Sequence, residues 1–551
     1  MGERDAESGT ASGAEAGAGS AGSEGGAASA RRAAAQRGQE ARAMATPDGG
    51  VGFGRRSAAA ATAAMAGQGA QMALTLGSVV VLARLLTPAD FGVVAMAMTV
   101  ISFTGVIRDL GLPTSTVFKK RLTDHQVSTL FWINAGFGVL LAGLVVATGP
   151  AVAWAYDEPR VFGVLALLST SLVFNGLGAQ HEALLRRTME FGSQARAATW
   201  GTAAGVVATV GLAAAGAGYW SLAAQQPVEA AVRSGLVYRA AGWRPGRPRH
   251  GTGLWGMLGF AGNVTAYRAV THVGKHLDRV LLSASAGPGA VGLYSLADRW
   301  ASLPGTVIYG RLGSVATSAF TRLQDQPARL REYFRRAMLL LWTVMLPMLA
   351  GIGLEAAGIL RVLAGPQWRE AVVLLEVLAW AAVALAVSQP TKWMYLAEGR
   401  TAGQLAWGTV AAAVTAAGVG AGVAWGVRGV AVGFAGATVL LTPLTLWVWL
   451  RGSVVGWGEV AGALVRPGLA TLAMAGAWWA LPGYVGAWGE GTSAADAWAR
   501  LGWSVPTLAG VYVVVWLVLP GGGRAARELV ATVGAMRGGG NRRKQPTKKR
   551  G

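Results

Sequence analysis

The sequence predicts an all-α polytopic membrane protein with about fourteen transmembrane helices, arranged as two pseudo-symmetric six-helix lobes plus a terminal helix pair. The 551-residue chain is 53% hydrophobic but only 14% charged, whereas soluble domains are about 25% charged. Nearly uncharged stretches of about 20 residues recur along it, each long enough to cross the roughly 30 Å hydrocarbon core of a bilayer. Similar segments also recur about 200 residues apart, which indicates two related halves. The alternative, a very large all-helical soluble core, fits this composition poorly.

Apolar runs between polar breaks define the predicted spans. In chain order they are 62–86, 91–117, 128–149, 160–180, 197–217, 219–240, 254–282, 289–320, 334–358, 369–392, 403–425, 428–450, 464–482 and 504–522.

Both ends of the chain differ in composition from the spans. Residues 1–56 have scarcely any large apolar side chain, so they cannot bury enough surface to offset their ordering entropy, and we expect a disordered cytoplasmic tail. Without an apolar core this segment is not a secretory signal. The predicted division of the remainder is an N-lobe at 57–240, a basic cytoplasmic loop at 241–253, a C-lobe at 254–450, a terminal helix pair at 451–522 and a basic cytoplasmic tail at 523–551.

The distribution of Lys and Arg predicts the orientation. One set of internal loops and span edges carries eighteen of these cations and the opposite set carries seven. Cytoplasmic loops are enriched in Lys and Arg, so both termini are predicted to be cytoplasmic in a multi-pass protein of the cytoplasmic membrane. The formal net charge of +21 then follows from topology and contact with anionic membrane lipids. Nucleic acid is not needed to explain it.

A bend in the chain occurs twice. The segment "LLTPADFGVVAMA" at 85–97 has the same outline as "LLSASAGPGAVGLYSLA" at 281–297, so that Gly92 corresponds to Gly292, and "RLTD" at 121–124 recurs as "RLQD" at 322–325. Six spans per lobe is an even number, so the repeat is parallel and its pseudo-two-fold axis lies along the membrane normal. We expect each bend to be an extracytoplasmic hairpin joining the first two helices of a lobe, with a cavity between the lobes.

The predicted seventh span carries a cationic stripe formed by Arg268, His272, Lys275 and Arg279. Their spacings of 4, 3 and 4 residues place them within roughly 60° of one another on a helix. Each Arg or Lys near mid-bilayer costs roughly 2.5–3.5 kcal/mol. Arg279 lies close enough to the end of the span to reach the headgroups, so this cost falls on Arg268 and Lys275. We expect the stripe to face water between the lobes.

The cationic stripe has two interpretations. In one, its members pair with carboxylates of neighbouring helices, for which Asp298, Glu229 and Asp109 are candidates; Asp278 lies off the stripe and neutralises one cation at most. In the other, positive charge remains uncompensated because acidic residues are few within the spans, and the stripe binds an anionic substrate.

Three further cations lie near span ends or within spans. Arg233 joins the stripe or pairs with Glu229, four residues before it on the same helix. Arg84 is a weaker candidate for contact with an anion. Arg108 and its neighbour Asp109 are interpreted as a local gate or fold contact.

Small and aromatic residues have structural interpretations. Gly201 and Gly205, like Gly429 and Gly433, have the small-xxx-small spacing that lets helices approach closely. Aromatic side chains near predicted interfaces are expected to anchor the helices at headgroup depth; they include Trp154, Trp220, Trp243, Trp368 and Trp425.

Motifs for catalysis, cofactors and metals are scarce. The chain has no cysteine, which excludes disulfides, zinc–thiolate sites, thiol catalysis and iron–sulfur clusters. "GTGLWG" at 251–256 matches a dinucleotide-binding pattern, but no strand precedes it. His272 and His276 are four residues apart without the glutamate of a zinc-protease motif. We therefore expect no catalytic residue, no metal site and no cofactor.

Several segments carry a family resemblance. They are "ARLLTPADFGVVAMA", "YDEPRV" and "QHEALLRRTMEF" in the first half and "DRVLL", "GLYSLADRW" and "TRLQDQPARLREYFRR" in the second. Over roughly residues 57–450 the chain resembles the polysaccharide and lipopolysaccharide exporters, which are O-antigen-type flippases of the multidrug/oligosaccharidyl-lipid/polysaccharide flippase superfamily. The resemblance implies a two-lobed monomeric transport unit that moves a polyprenyl-diphosphate-linked oligosaccharide to the outer leaflet by alternating access. Cations in its cavity would attract the diphosphate, and other polysaccharide-assembly proteins would be its partners.

Two other functions compete with this one. A drug/cation antiporter of the same superfamily would carry buried carboxylates in its cavity, whereas the cationic stripe predicts the opposite charge. A membrane glycan polymerase or ligase would need a long extracytoplasmic loop, and the longest one predicted here is about 20 residues, 483–503.

Overall fold

A computed structural model describes residues 53–108, 123–248, 279–480, 493–523 and 526–527. Within these ranges the chain is helical, without strands. In chain order the α-helices are α1 (Phe53–Leu85), α2 (Pro88–Arg108), α3 (Asp124–Ala155), α4 (Arg160–Arg187), α5 (Phe191–Ala214), α6 (Tyr219–Ala241), α7 (Pro288–Leu323), α8 (Pro327–Leu354), α9 (Ala356–Leu363), α10 (Ala371–Ala397), α11 (Thr401–Gly422), α12 (Gly426–Leu450), α13 (Trp457–Ala480) and α14 (Ala494–Val518).

The helices agree with the predicted spans in order and position. Within the described ranges every helix overlaps a predicted span, although the short α9 overlaps only the last three residues of the ninth, and residues 279–285 form the helical end of the predicted seventh span. The rest of that span, 254–278, lies outside the described residues. Ten helical stretches of the described chain are long and apolar enough to cross a membrane, with 401–450 counted as one stretch although it contains both α11 and α12. The prediction of an all-α membrane protein is confirmed.

The connection between α8 and α10 differs from the prediction. The predicted ninth span runs to residue 358, but α8 ends at Leu354, and the chain then forms α9 and a single 3-10 turn, Pro366–Trp368. Gly365 takes a positive φ of 100° between these two elements, a conformation that favours glycine. This connection therefore contains short ordered elements that apolar run length alone does not indicate.

Local sequence explains where the helices begin. The bend at 85–97 is a turn as predicted, because Asp90 accepts hydrogen bonds from the Thr87 backbone N–H at 3.0 Å and the Thr87 hydroxyl at 2.7 Å. Proline occupies the first turn of α2 and of α7. The backbone N–H groups of a first turn have no intrahelical acceptor, so the N–H that proline lacks costs no hydrogen bond there. Thr123 and Gln126 form a reciprocal capping box at the start of α3.

The same pairs of helices pack in each half of the chain. In the first half α2 packs on α4, α3 on α4, α4 on α6, and α5 on α6. Their counterparts in the second half are α7 on α10, α8 on α10, α10 on α12, and α11 on α12. The terminal helices attach to the second half, where α13 packs on α8 and α14 packs on α13 and α9. The repeated packing supports the two pseudo-symmetric lobes, called here the N-lobe (α1–α6) and the C-lobe (α7–α12).

Glycines bring paired helices into close contact in both lobes. A Cβ on Gly201 would lie 3.0 Å from the Glu229 carbonyl oxygen of α6, and a Cβ on Gly205 would lie 2.9 Å from the Gln225 carbonyl oxygen. In the C-lobe, Gly429 and Gly433 of α12 face the backbone of α11 just as closely. The small-xxx-small interpretation of both pairs is confirmed.

The two lobes meet where α2 crosses α7. A Cβ on Gly92 would overlap the Pro288 carbonyl, and a Cβ on Gly292 would overlap the Pro88 carbonyl. The contact is reciprocal, as expected when two equivalent segments meet at a pseudo-two-fold axis. The two bends that the sequence repeats are thus in direct contact with each other.

Burial differs between the two ends of the bundle. We call the end with connections 86–87, 156–159, 286–287 and 364–370 the outer end, after the predicted orientation. There, one apolar cluster contains buried residues of both lobes, among them Val93, Leu165, Leu282, Val291 and Trp368. At the inner end, no buried cluster of the described residues contains residues of both lobes. Among the described residues, the two lobes therefore share a core only toward the outer end.

The start of the inter-lobe connection is fixed to the N-lobe. Trp243 is fully buried, and its indole N–H donates to Asp124 at 2.8 Å. The backbone N–H of Gly246 donates to the Ser128 hydroxyl at 3.0 Å, and the Trp132 indole donates to the Gly246 carbonyl at 2.9 Å. The expectation that Trp243 anchors the protein in the headgroups is wrong, because its ring packs among Phe131 and His181 instead.

The close crossing of α2 and α7 generates a prediction. We expect Gly92→Ala to lower the free energy of unfolding by about 1–3 kcal/mol, because the added methyl group must displace the α7 backbone. Gly105→Ala is the control on the same helix: nothing lies within 4 Å of its Cβ position, so it should be neutral or stabilise the helix by up to about 1 kcal/mol. Thermal unfolding of the purified full chain measures both. Equal unfolding temperatures for the two variants would contradict the crossing.

Candidate functional site: the interface between the lobes

A set of hydrogen bonds seals the outer end of the interface. The carbonyl of Ala83, near the end of α1, accepts from the Trp368 indole at 2.8 Å and from the Gln367 amide at 2.7 Å. The Phe91 ring packs edge-on against Trp368 with centroids 5.2 Å apart. These contacts join the N-lobe to the 3-10 turn of the C-lobe. We call the contacts of residues 83–91 with 362–368 the outer seal.

Arg84 belongs to the outer seal. Its guanidinium donates to the backbone carbonyl of Val362, the penultimate residue of α9. The carbonyls in the last turn of a helix lack intrahelical hydrogen-bond donors and carry the negative end of the helix dipole. A cation bound there donates hydrogen bonds to these carbonyls and is attracted by the dipole. The structure thus places Arg84, a candidate for anion contact in the sequence, at a contact between the lobes.

Trp368 lies in a different environment from the one that its sequence position predicts. The prediction of a headgroup anchor is wrong for this residue, because its side chain is 0% exposed and lies in the shared outer cluster. Trp154 and Trp425 are 83% and 74% exposed, as an anchor requires. Sequence position near a helix end does not separate these two environments, since both place an indole beside a connection.

Arg279 forms an ion pair with Asp298 of α7. This is the pairing that the first interpretation of the cationic stripe anticipates. The Arg279–Asp298 pair as a whole therefore has a net charge close to zero. The other members, Arg268, His272 and Lys275, lie outside the described residues, as do Asp278 and Asp109. Arg108 is the last residue of α2, and its side chain is likewise outside the description.

Arg233 pairs across helices. Its guanidinium contacts Glu182 of α4 at 2.6 Å, and Glu182 also binds Arg186 at 2.7 Å and accepts from the Gln194 amide at 2.6 Å. Glu229 instead accepts from the Thr202 hydroxyl at 3.0 Å. Of the two possibilities for Arg233, pairing with Glu229 along α6 is not what the structure shows, because α4 and α5 offer each side chain a partner on another helix.

Sequence reasoning missed Arg299. It lies on α7 next to Asp298, its side chain is exposed, and exposed Ser302 and Thr306 follow it at helical spacing. The signal was present in "SLADRWASLPGT", where polar residues recur at 295, 299, 302 and 306.

The described residues offer no metal site. No group of three or more His, Asp or Glu side chains in this part of the chain comes close enough together to bind a metal ion.

Comparison with known proteins decides the family. The family described as "Polysaccharide biosynthesis protein" matches residues 81–373, more than half of the chain. The chain belongs to this family. The matched segment begins in α1 and ends in α10, so it includes the α2–α7 crossing and the whole outer seal.

Relatives with assigned names are polysaccharide biosynthesis proteins of bacteria. The chain is 24% identical to the lipopolysaccharide biosynthesis protein WzxC of Escherichia coli, over 59% of this chain and 67% of the relative. It is 28% identical to the succinoglycan biosynthesis transport protein ExoT of Rhizobium meliloti, over 55% and 61%. It is 24% identical to the teichuronic acid biosynthesis protein TuaB of Bacillus subtilis, over 54% and 62%. The chain thus matches about three fifths to two thirds of the length of these relatives.

Solved structures share the fold. The lipid II flippase MurJ in an inward closed conformation superposes with a TM-score of 0.62 and 12% identity, over 83% of this chain and 98% of that one. An inward-facing multidrug resistance transporter of the MATE family superposes with a TM-score of 0.55 and 14% identity, over 69% and 94%. At these identities the likeness establishes the architecture of the transmembrane bundle.

The outer seal generates a second prediction. Because the chain has no cysteine, a single Ser283→Cys substitution provides a reporter at a position that is 1% exposed and borders the shared outer cluster. We expect a membrane-impermeant maleimide added outside intact cells to react slowly with it. Adding Trp368→Ala removes a large buried side chain and two contacts with the N-lobe, and should speed the reaction at least about tenfold by favouring the opened outer end.

Trp425→Ala is the matched control for that experiment, since this tryptophan is exposed and lies outside the seal. It should leave the labelling rate unchanged. Unchanged labelling with Trp368→Ala, or equal acceleration by both variants, would show that residues 362–368 do not seal the interface.

Proposed function

We propose that this protein is a flippase that moves a polyprenyl-diphosphate-linked oligosaccharide across the cytoplasmic membrane for the assembly of cell-surface polysaccharide. Membership of the polysaccharide biosynthesis family supports the substrate class. The relatives named for lipopolysaccharide, succinoglycan and teichuronic acid biosynthesis, one of them a transport protein, support it further. The shared bundle with a lipid II flippase supplies an architecture suited to this work.

The observation that carries the proposal is the one-sided burial between the lobes. Both lobes contribute to one core at the outer end, whereas the described inner ends have separate cores. Two rigid bundles joined at one end can rock about that joint, which exposes the space between them to one side of the membrane at a time. Such alternating access moves a polar group across without exposing it to hydrocarbon.

The cargo has a large polar part that cannot enter the acyl chains. A diphosphate carries negative charge, so its passage requires water and cations along the interface between the lobes. In this proposal Arg268, His272 and Lys275 of the predicted seventh span bind the diphosphate. Arg279 and Asp298 form a charge pair beside them, Arg233 stabilises the N-lobe with Glu182, and Arg84 belongs to the outer seal.

The remaining features of the proposal concern topology and partners. Both termini lie in the cytoplasm, and the domain boundaries are those predicted from sequence. The transport unit is a monomer that contacts membrane lipids and other polysaccharide-assembly proteins, and it performs transport without catalysing a covalent step.

A drug/cation antiporter is the second candidate, because the multidrug transporters share the bundle. Among the carboxylates of the described helices, however, Glu182 and Asp298 are each paired with arginine. A cation substrate would have to displace a guanidinium from them. This charge balance favours an anionic cargo.

Deletion of the gene in its native host tests the proposed function. The lipid-linked oligosaccharide should accumulate on the cytoplasmic side and surface polysaccharide should fall, because synthesis continues while translocation stops. Extraction of membrane lipids with mass spectrometry measures the first effect and glycan staining the second. Sensitivity to cationic drugs, with normal surface glycan, would favour the antiporter instead.

The cationic stripe is tested by the double substitution Arg268→Gln and Lys275→Gln. We expect it to reduce export at least about tenfold, since two charge-assisted contacts to a diphosphate are lost, while the amount of protein in the membrane stays the same. Arg329→Gln, on an exposed arginine bonded only to Gln326 in the described structure, is the control and should export normally. Normal export by the double variant would assign the stripe a structural role.

A further inference from the structure

Glu355 is a buried carboxylate at the outer end of the C-lobe. It lies between α8 and α9, and its side chain is 6% exposed. The carboxylate makes no capping hydrogen bond with α9. Instead, one of its oxygens accepts the indole N–H of Trp478, on α13, at 3.2 Å. Burial of an acidic side chain costs free energy unless its partners compensate for the lost water, so these partners indicate what Glu355 does.

The partners of Glu355 come from the terminal helix pair. Besides Trp478, the buried Ser504 and the Arg500 guanidinium, both of α14, act on the carboxylate. α10 presents an alanine methyl group and a backbone carbonyl to the last turn of α8. On α9 itself the ionisable side chain is Arg361, which lies in the last turn of that helix. Among the described residues, Arg500 is therefore the charged group that faces Glu355.

α9 connects this carboxylate with the outer seal. The helix has eight residues, which corresponds to about 12 Å. Glu355 precedes its first residue, and the Val362 carbonyl near its other end accepts the Arg84 guanidinium of the N-lobe. Ala356, Leu360 and Val362 are at most 1% exposed, so α9 is packed along its whole length. A shift at its start therefore displaces the end that binds the N-lobe.

The buried position of Glu355 changes its affinity for a proton. Burial raises the pKa of the Glu355 carboxyl above its ordinary value, although its neighbours on α13 and α14 oppose this effect. Opening the outer end would admit water to this connection and return the pKa toward that of an ordinary glutamate. The state with the higher pKa is stabilised as the pH falls. Protonation therefore favours the closed outer seal, and ionisation favours its opening.

The corresponding connection of the N-lobe has a different carboxylate. Glu158 lies between α3 and α4 and is 7% exposed, but both of its oxygens bind the Arg160 guanidinium at 2.7 Å. These hydrogen bonds lower the pKa of Glu158. Glu158 thus stays ionised where Glu355 takes up a proton. The family match ends at residue 373, so the helices that contact Glu355 lie beyond it.

We propose that Glu355 is a positioning residue through which the terminal helix pair controls the outer seal, and that its protonation from the outer aqueous side favours the closed state. This inference rests on the alternating access of the proposed function and holds for any cargo. It gives α13 and α14 a role: they provide the buried environment in which the charge of Glu355 is costly, and α9 passes the effect to Arg84.

The Ser283→Cys reporter tests this proposal in intact cells. Because thiol reactivity itself depends on pH, each maleimide labelling rate is divided by that of Ser285→Cys, an exposed position of the same connection. We expect the normalised rate to fall at least about threefold when the external pH is lowered from about 8 to about 5.5, since protonation of Glu355 stabilises the seal.

Two substitutions of Glu355 separate its charge from its packing. Glu355→Gln is uncharged and still accepts the Trp478 indole, so it should label at the slow, acidic rate at both pH values. Glu355→Ala removes the acceptor and leaves the indole N–H unpaired, so it should label at least about fivefold faster than Glu355→Gln at both. A purely structural role would leave the pH profile of Glu355→Gln unchanged.

Glu370→Gln is the matched control, because Glu370 is an exposed glutamate at the same end of the bundle. It should keep the pH response of the chain with native Glu355. A pH response that survives Glu355→Gln, the absence of a response in the chain with native Glu355, or loss of the response in Glu370→Gln would overturn the proposal. Thermal unfolding of each variant identifies one that misfolds, and Glu355→Gln tests the charge even if Glu355→Ala does so.

Trp368→Ala distinguishes failure of this inference from failure of the mechanism on which it rests. If Trp368→Ala speeds labelling while pH and Glu355→Gln have no effect, the outer seal stands and the role of Glu355 fails. If Trp368→Ala has no effect either, the seal itself fails. Labelling requires no cargo, so deletion of the gene tests the proposed substrate independently.

Discussion

The architecture depends on the contact between two glycines and two prolyl carbonyls. Gly92 and Gly292 have no side chain, so the backbones of α2 and α7 meet directly at the pseudo-two-fold axis. The apolar cluster shared by the lobes includes residues on both sides of this crossing. The hydrogen bonds of Ala83 and Arg84 with residues 362–368 join the lobes at the same end. A joint made of backbone is compact, because no side chain separates the two helices.

The free-energy cost of burying a charge decides where each charged side chain within the spans lies. A buried cation needs a carboxylate, a free carbonyl or water, and the described arginines find all three. Arg233 and Arg279 pair with carboxylates, Arg84 binds a carbonyl at the C-terminal end of α9, and Arg299 is exposed. The first three hold helices and lobes together.

Tryptophans illustrate how one residue type takes two roles. Trp368 and Trp243 are buried, and each donates its indole N–H to an acceptor on a different element, so each ties a connection to the bundle. Trp154 and Trp425 are exposed and suit the membrane interface. The buried pair lies on either side of the membrane by the predicted orientation: Trp368 fastens the two lobes at the outer end, while Trp243 fixes the inter-lobe connection to the N-lobe at the inner end.

The sequence by itself determined the all-α membrane class, the order and approximate bounds of the helices, the repeated bend and the close glycine packing. These features follow from local properties, namely the length of an apolar run, the chemistry of a turn and the spacing of small residues. Only the tertiary structure decided the partner of each charge and the environment of each aromatic ring. Arg233 has Glu229 four residues away and yet binds Glu182, fifty-one residues away, because ion pairs depend on distances in space that sequence separation does not fix.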